Sequence, residues 1–301
     1  MIRLLVLFVA ACSHPAAGPP RYLAHRGVHQ SYACGHLGRD GCSATCIEPP
    51  THDYLENTIR SMRAAFELGA DVVELDVHPT TDGQLAVFHD WTVDCRTNGT
   101  GRTRDHSWTY LKTLDIGYGY TADHGKTFPF RGRGVGLMPT LAEVLDTFPD
   151  RRFLIHIKSN VAGDGDVLAR ELLRRPVAQR KRLMVYGGER PVERVLAVVP
   201  ELRGMTGERE KRCVARYVAV GWTGHVPDVC RHALLLLPAR RAHWLWGWPS
   251  RFLARMAAVD TDVYVVAVSD DGWILGLEHD ASGAGIWTDH IERVATTRRG
   301  R

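Results

Sequence analysis

The sequence predicts an α/β fold, and within that class a (β/α)8 TIM barrel, on three observations. Short β-rich runs alternate with helical stretches along the chain, which is typical of a parallel sheet covered by helices. Eight such runs are present, and several are almost continuously apolar, as expected for strands with both faces buried. The chain has 301 residues, and one barrel commonly occupies about 200–300 residues. A doubly wound open sheet is the alternative, because a strand count does not exclude it.

The predicted elements follow one another in regular order. Strands are expected at residues 21–26, 71–77, 153–158, 183–186, 202–205, 233–237, 263–268 and 285–287. Helical periodicity covers residues 58–68, 141–148, 166–174 and 191–199.

Two long polar regions interrupt this alternation, at residues 30–54 and 94–139. Long loops in a compact domain are usually functional or carry small structure of their own. We therefore predict that both are insertions capping the C-terminal face of the barrel. The barrel domain as a whole is expected to span residues 21–301.

The first twelve residues differ in kind from the rest. Arg3 precedes an apolar run at residues 4–11, and small residues lie directly before Cys12. The run is shorter than the ~20 residues that a membrane-spanning helix needs, so we interpret it as a secretory signal. It resembles a bacterial lipoprotein signal, which implies an exported protein anchored in a membrane through a lipid on Cys12. Residues 13–20 would then form a tether. A simple cleaved signal is the alternative.

Cysteine usage agrees with export. Apart from Cys12 the number of cysteines is even, so disulfides are expected in an oxidising compartment. The six are Cys34, Cys42, Cys46, Cys95, Cys213 and Cys230. Proximity in sequence favours only the Cys213–Cys230 pair. Zinc ligation by Cys34, Cys42 and Cys46 is the alternative, although their spacings do not form a C-x2-C pair.

Charge excludes one class of partner. The formal net charge is only +4, and arginine is distributed along the chain. Because a nucleic-acid-binding surface is normally a strongly basic stripe, we predict no nucleic-acid partner.

Two carboxylates end the second predicted strand. Side chains alternate between the faces of a strand, so Glu74, Asp76 and then His78 share one face while Leu75 faces the helices. Two carboxylates on one buried face are costly unless cations balance them, and hard divalent cations prefer oxygen ligands. We therefore predict a divalent-cation site. A buried salt-bridge network with arginine is the alternative.

The first and third predicted strands each end with a histidine and a basic residue of a type that binds phosphate. His25, Arg26 and Gly27 end the first strand, where arginine matches phosphate oxygens and histidine moves protons near neutral pH. A purely structural histidine is the alternative there. His156 and Lys158 share one face at the end of the third strand. A lysine aimed into a barrel needs an anion, which is either a carboxylate or a phosphate oxygen.

Two further motifs lie near the same barrel end. Asp82 and Gly83 predict a turn into a short strand, which returns His89 to the mouth that holds the carboxylates. Glu56 stands just before the helix at residues 58–68, where we expect it to reach the metal or orient a ligand. Thr58 is expected to cap that helix.

Taken in order, these motifs resemble the glycerophosphodiester phosphodiesterase family. The motifs are His25-Arg26-Gly27, Glu56-Asn57-Thr58, Glu74-Leu75-Asp76-Val77, Asp82-Gly83 and His89-Asp90. Residues 285–289 look like the last strand of that family. The resemblance implies a TIM barrel, one divalent cation (Ca²⁺ or Mg²⁺), and hydrolysis of a small-molecule glycerophosphodiester to glycerol 3-phosphate and an alcohol.

The resemblance also implies a role for each matching residue. His25 and His89 would be the catalytic acid–base pair. The sequence does not order the two, and as a hypothesis we take His25 as base and His89 as acid. Phosphate binding would fall to Arg26 and Lys158. Glu74 and Asp76 would bind the metal.

Two positions depart from the family pattern. The third metal position is usually glutamate, two residues before the lysine, but here it is His156. A nitrogen ligand disfavours Ca²⁺ and makes Mn²⁺ or Zn²⁺ reasonable besides Mg²⁺. In the seventh strand Ala267-Val268-Ser269 stands where a tryptophan near the substrate is expected.

The sequence is also compatible with two other functions. Trp244, Trp246 and Trp248 favour a phospholipase C- or D-like enzyme acting on intact membrane lipids, because aromatic side chains often sit at bilayer interfaces. A non-catalytic ligand-binding surface lipoprotein, in which His156 marks a lost metal site, is the alternative from a different class.

Overall fold

A computed structural model describes residues 21–34, 37, 41–266 and 283–294 of the chain. The predicted signal, the tether, Cys12 and the segment Ala267-Val268-Ser269 lie outside the described residues. Among the helices that are described, none has both the length and the apolar character needed to cross a bilayer.

Eight parallel strands form a nearly closed barrel, as predicted. Numbered along the chain and given in the order of their neighbours, they are β6 (Arg203–Thr206), β5 (Leu183–Gly187), β4 (Arg152–Ile157), β2 (Val72–Pro79), β1 (Arg21–Ala24), β9 (Gly285–Thr288), β8 (Asp262–Val266) and β7 (Leu234–Pro238). The outer strands of this row, β6 and β7, meet through a parallel bridge between Gly204 and Ala233. The barrel fold is therefore confirmed, and the open doubly wound sheet is wrong.

A ninth strand, β3 (Leu85–Val87), pairs antiparallel with the end of β2. It is the short strand predicted after the turn at Asp82 and Gly83. Because β3 turns the chain back over the end of β2, it carries His89 to the C-terminal face of the barrel.

The described helices cover the outside of the barrel. They are α1 (Ile59–Glu67), α2 (Trp108–Leu111), α3 (Leu141–Thr147), α4 (Ala162–Leu173), α5 (Val177–Arg180), α6 (Glu189–Val198), α7 (Gly207–Val220), α8 (Ala239–Ala242) and α9 (Ser250–Ala257). Four of them, α1, α3, α4 and α6, overlap the predicted helices. Thr58 caps α1 by accepting a hydrogen bond from the backbone N–H of Ser61, as predicted.

Two helices show why periodicity was incomplete as a guide. Helix α4 begins at Ala162, before the predicted residue 166. The prediction missed the first turn because glycine there lowers helix propensity, but in the structure Gly165 allows close packing against α6. A Cβ at Gly165 would lie 2.3 Å from the backbone oxygen of Pro191 at the start of α6. Helix α7 buries only Cys213 and Tyr217, while Val214, Val218 and Val220 are not buried, so its apolar residues do not mark one buried face as in an amphipathic helix.

Packed apolar layers hold the helices to the strands. One buried cluster includes Leu75 and Val77 of β2 together with Phe153 and Ile155 of β4. These are the outward-facing positions of the strands, opposite to those of Glu74 and Asp76, so the alternation expected along β2 is confirmed.

A charged cluster closes the opposite, amino-terminal end of the barrel. Asp262 at the start of β8 lies 2.6 Å from Arg21, 2.9 Å from Arg152 and 3.0 Å from Arg203. These arginines begin β1, β4 and β6. The cluster therefore ties four strands together at the end of the barrel remote from the predicted site.

Three disulfides are present, as the even cysteine count predicts. They join Cys34 to Cys46, Cys42 to Cys95 and Cys213 to Cys230. The predicted Cys213–Cys230 pair is confirmed, and zinc ligation by Cys34, Cys42 and Cys46 is wrong because all three are oxidised. The Cys42–Cys95 bond links the two regions predicted as insertions, residues 30–54 and 94–139.

Candidate active site

The carboxyl ends of β1, β2 and β4 bring the predicted polar residues together. Asp76 on β2 is in register with His156 on β4, and both lie near the carboxyl ends of their strands. The side chains of Glu74 and Asp76 are almost completely buried. Placing both carboxylates in the barrel mouth is the direct result of strand alternation.

Neighbouring side chains fix the orientation of these two carboxylates. The Tyr186 hydroxyl donates to Glu74 Oε1 at 2.7 Å. The Asn57 amide donates to Asp76 Oδ2 at 3.1 Å, and its Oδ1 accepts from the backbone N–H of Asp76 at 3.2 Å. Asn57 therefore fixes Asp76 through both its carboxylate and its backbone N–H.

Glu74, Asp76 and His156 form a group that could hold a metal ion. One ligand atom from each residue lies within 4.8 Å of the others. His156 Nδ1 is 2.8 Å from Asp76 Oδ1 and 3.9 Å from Glu74 Oε1. Two carboxylates and one imidazole suit a divalent cation of intermediate hardness, so the residues present fit the predicted group.

The electrostatics of the pair agree with a cation site. Burial and the neighbouring Asp76 carboxylate raise the pKa of Glu74 well above its usual range. Burial acts in the same direction on Asp76, but the positive charges of His89 and Arg26 hold the pKa of Asp76 below its usual range. Two adjacent buried carboxylates resist double ionisation, and a divalent cation would favour the ionised form of both.

Two cationic side chains face the same carboxylates. Arg26 Nε lies 3.4 Å from Asp76 Oδ2, and Lys158 Nζ lies 3.7 Å from Asp76 Oδ1. Glu56 does not join the metal group. It accepts from Arg26 at 3.1 Å and so orients this guanidinium. Burial acts to raise the pKa of Glu56, but the charges of Arg96 and Arg26 hold this pKa below its usual range.

The chain turns sharply after β1 to present Arg26. Arg26 and Gly27 have φ angles of +57° and +81°, and a Cβ at Gly27 would lie 2.6 Å from Ser61 Oγ at the start of α1. The backbone N–H of Arg26 donates to Glu74 Oε2 at 3.2 Å. A non-glycine residue at positive φ costs about 1 kcal/mol or more, so the turn is held in place by its surroundings.

His25 lies beside Glu74, and Asp289 contacts the other nitrogen of its ring. Its Nε2 is 3.8 Å from Glu74 Oε2, and its Nδ1 is 2.5 Å from Asp289 Oδ1 just beyond β9. His29 Nε2 approaches the same Asp289 oxygen at 3.8 Å. Burial and the Arg26 charge lower the pKa of His25 to about 4, so the imidazole is neutral near pH 7, with a lone pair on Nε2.

His89 has an equivalent support. Its Nδ1 is 2.6 Å from Asp90 Oδ1, and Asp90 Oδ2 accepts from Arg96 Nε at 2.9 Å. Burial and the Arg26 charge lower the pKa of His89, while Asp76 and Asp90 act in the opposite direction. His25 and His89 therefore lie at the same barrel end, each with a carboxylate on Nδ1.

Sequence reasoning missed several residues that position this site. Asp90 and Asp289 were quoted within motifs but given no role, and Arg96, Tyr32 and Tyr186 were not singled out. Arg96 is about 1% exposed, and its position next to Cys95 was an available signal. Asp90 directly follows His89, so its position was also a signal. Asp289, Tyr32 and Tyr186 contact residues far away in the chain, so spacing does not reveal them.

Fold and site together define an α/β-barrel protein with a carboxylate–histidine group and two carboxylate-held imidazoles at its C-terminal face. The family model of the glycerophosphoryl diester phosphodiesterases matches residues 25–174. A glycerophosphodiester phosphodiesterase from Caldanaerobacter subterraneus is 43% identical over 103 residues, which are 34% of this chain and 39% of that relative. Over residues 25–174 the chain is therefore similar to the glycerophosphoryl diester phosphodiesterase family.

Solved structures show the same fold over nearly the whole chain. The glycerophosphoryl diester phosphodiesterase domain of a Mycobacterium tuberculosis protein aligns with 93% of this chain and 100% of that chain, at 17% identity and a TM-score of 0.66. An Oleispira antarctica phosphodiesterase, in complex with the product sn-glycerol-3-phosphate, aligns with 93% of this chain and 97% of that chain, at 16% identity and a TM-score of 0.55. The matched sequence nevertheless spans only 39% of the length of the curated relative from Caldanaerobacter.

Proposed function

We propose that this protein is a metal-dependent phosphoric diester hydrolase that converts glycerophosphodiesters into glycerol 3-phosphate and an alcohol. The observation that carries the proposal is the position of His25 and His89, which lie at one barrel mouth beside Glu74 and Asp76. The match to the family model supports the same reaction, as does the glycerol 3-phosphate found in the Oleispira relative.

Arg26 and Lys158 would hold the phosphodiester. Both side chains lie in the mouth against Asp76 and are largely buried, so an anionic phosphate would meet two cations in a site of low dielectric constant. Glu56 keeps the guanidinium of Arg26 in place. Charge that develops on phosphate oxygens during the reaction is stabilised most by such preorganised donors.

The two imidazoles would move the protons. Asp289 accepts a hydrogen bond from the Nδ1–H of His25, which leaves Nε2 to remove a proton from the nucleophile, either water or the adjacent glycerol hydroxyl. Asp90 stabilises the protonated form of His89, which would donate a proton to the leaving alkoxide. We assign His25 as base and His89 as acid, because burial and Arg26 lower the pKa of His25 to about 4, whereas Asp76 and Asp90 offset part of the lowering of the pKa of His89.

A divalent cation held by Glu74, Asp76 and His156 would supply positive charge to the phosphate oxygens. We propose Mg²⁺ or Mn²⁺ for this chain, because the imidazole nitrogen of His156 makes the donor set less favourable for Ca²⁺ than three oxygen ligands would be. Zn²⁺ is compatible with the same donors.

Product analysis tests the proposal. The protein is incubated with glycerophosphocholine, glycerophosphoethanolamine and glycerophosphoglycerol, and in parallel with phosphatidylcholine and sphingomyelin, each with metal and with chelator. We expect glycerol 3-phosphate from the water-soluble diesters only, and only with metal. Release of diacylglycerol, ceramide or a phosphorylated lipid in place of glycerol 3-phosphate would favour the phospholipase alternative. Turnover of no substrate together with no metal binding would favour the non-catalytic binding protein.

We also propose that Cys12 carries a lipid anchor and that the protein is exported to the periplasm or the cell surface. The arrangement of Arg3, an apolar run and small residues before Cys12 supports this. Expression in a bacterium followed by detergent phase partition should place the wild type in the detergent phase and Cys12→Ser in the aqueous phase. Equal partition of the two forms would contradict the anchor.

A further inference from the structure

One stretch of the chain has a charge unlike the rest. Residues 211–259 contain eight Lys or Arg and a single acidic residue, Asp228. The whole chain has 38 Lys or Arg against 34 Asp or Glu, so the remainder is net acidic. The mild overall charge therefore conceals a basic region, which the structure places on α7, α8, α9 and their connections.

The same region exposes large apolar side chains. Trp222 is 68% exposed, Trp244 74%, Trp246 48% and Val218 45%. Exposed tryptophan is costly in water, because an indole ring carries a large apolar surface. Trp248 differs from these three, since it packs on the buried clusters of the barrel.

Hydrogen bonds bring Val218, Trp222 and Trp246 onto one face, and Trp244 lies two residues before Trp246 on the same connection between α8 and α9. Trp246 Nε1 donates to the backbone oxygen of Val218 at 2.8 Å, and the Tyr217 hydroxyl donates to the backbone oxygen of Trp246 at 2.9 Å. These bonds join the α8–α9 connection to the end of α7. Trp222 follows directly on that end, and its Nε1 donates to the backbone oxygen of Ala219 at 3.2 Å.

Arginine accompanies the tryptophans on this face. Arg251 packs on Gly247, beside Trp246, where a glycine Cβ would lie 2.7 Å from Arg251 Cβ. Arg255 donates to the backbone oxygen of Gly221, beside Trp222, at 2.7 Å. Within the described part of the chain, Arg251 makes no ion pair, and neither do the exposed Arg240 and Arg241 of α8. We call this surface the Trp/Arg face; it comprises Val218, Trp222, Trp244, Trp246, Arg251 and Arg255.

We propose that the Trp/Arg face docks on the surface of an anionic lipid bilayer. Tryptophan is favoured at the bilayer interface, and basic side chains are attracted to anionic headgroups. The indole N–H groups of Trp222 and Trp246 already have backbone acceptors, so inserting these rings leaves no donor unsatisfied. The absence of acidic residues from 229–259 matches a uniformly negative partner better than the mixed charges of a typical protein surface.

Vesicle sedimentation tests the proposal. Every form carries Cys12→Ser, so that no acyl chain contributes. The vesicles are phosphatidylcholine alone, or phosphatidylcholine with about one-third phosphatidylglycerol, an anionic lipid. We expect binding to the mixed vesicles only, weakened by salt. Arg251→Glu and the double variant Trp222→Ala/Trp244→Ala should each weaken it by about tenfold or more.

Matched variants elsewhere on the barrel serve as controls. Arg170→Glu reverses an exposed charge on α4, and Tyr110→Ala removes an exposed aromatic side chain on α2. Both should bind the mixed vesicles as the parent does, and all variants should keep its near-ultraviolet circular dichroism. Three results would each overturn the proposal: equal binding to both kinds of vesicle, unchanged binding of the Trp/Arg-face variants, or retention of a mixed-sequence oligonucleotide in place of the vesicles.

Discussion

At the scale of single residues, the chemistry depends on which imidazole nitrogen is free. His25 and His89 each face a carboxylate through Nδ1, Asp289 and Asp90 respectively. Such a hydrogen bond fixes the tautomer and the ring orientation, and it leaves Nε2 as the reacting atom. Both pairs lie at the mouth that holds Glu74 and Asp76, so proton transfer and charge stabilisation would act on the same phosphodiester.

Replacing His89 by alanine tests its assigned role. We expect His89→Ala to lower turnover of glycerophosphocholine by about 100-fold or more, because loss of a general acid–base group typically costs that much. His232→Ala is a matched control, since His232 is exposed and its Nδ1 lies 2.6 Å from Asp260 in a similar pair. Steady-state kinetics of both variants check the prediction. Near-normal turnover by His89→Ala would refute its role as acid.

His156 is the residue that sets the metal preference in this account. Changing His156→Glu would replace a nitrogen ligand by oxygen, which favours the harder cation. We expect the ratio of Ca²⁺ affinity to Mn²⁺ affinity to rise by about tenfold or more. Calorimetric titration of both ions into wild type and variant measures this ratio. An unchanged ratio would show that His156 lies outside the coordination shell.

At the scale of elements, Arg96 connects the two long loops to the residues proposed for catalysis. It is buried and donates to Asp90, Ser43 and Tyr120. Its Nη1 lies 3.2 Å from Glu56 Oε2. The adjacent Cys95 is bonded to Cys42, so a disulfide anchors Arg96 between the loops. Arg96 therefore acts as a positioning residue for His89 through Asp90, and for Arg26 through Glu56.

Arg96→Lys tests this connection while keeping the charge. Lysine lacks the planar fork that reaches several acceptors at once, so we expect turnover to fall by about tenfold or more. The losses of Arg96→Lys and Asp90→Asn should be less than additive in the double variant, because both changes break the Arg96–Asp90 contact while only Arg96→Lys also disturbs the contact with Glu56. Arg131→Lys, at an exposed arginine stacked on Phe128, is the control. Additive losses in the double variant would indicate a merely structural role.

Local pattern predicted the strands well and the supporting contacts poorly. The alternation of Glu74, Leu75 and Asp76 was sufficient to place both carboxylates in the barrel mouth, because a strand has a fixed period of two. Asp289 is 264 residues from His25, and no periodicity relates such distant positions. Helix α7 was missed because its exposed side is basic and its buried side is narrow.

At the scale of the whole molecule, the two ends of the barrel differ in their polar residues. The carboxyl ends of the strands carry the reactive groups, whereas Asp262 gathers Arg21, Arg152 and Arg203 at the amino ends. Burial alone would raise the pKa of Asp262, but these arginines hold the pKa below its usual value. This ion cluster therefore contributes to stability without touching the site.

The sign of that pKa shift gives a pH dependence of stability. A carboxyl whose pKa is lower in the folded than in the unfolded state stabilises the fold above the unfolded value of about 4, and this contribution is lost as the pH falls further. We expect Asp262→Asn to lower the free energy of unfolding by about 2 kcal/mol at pH 7. The difference from wild type should shrink below about pH 4. Urea unfolding at several pH values measures it, and a difference independent of pH would contradict the account.

The proposed catalytic cation is tested most directly by measuring glycerol 3-phosphate release by chelated protein as a divalent cation is added back. We predict that wild type is inactive after chelation and regains turnover in a saturable way with Mg²⁺ or Mn²⁺. Glu74→Gln, which removes one ligand charge, should need at least about tenfold more metal for the same turnover. Full activity of the chelated protein, or identical metal dependence of wild type and Glu74→Gln, would contradict a catalytic cation at Glu74, Asp76 and His156.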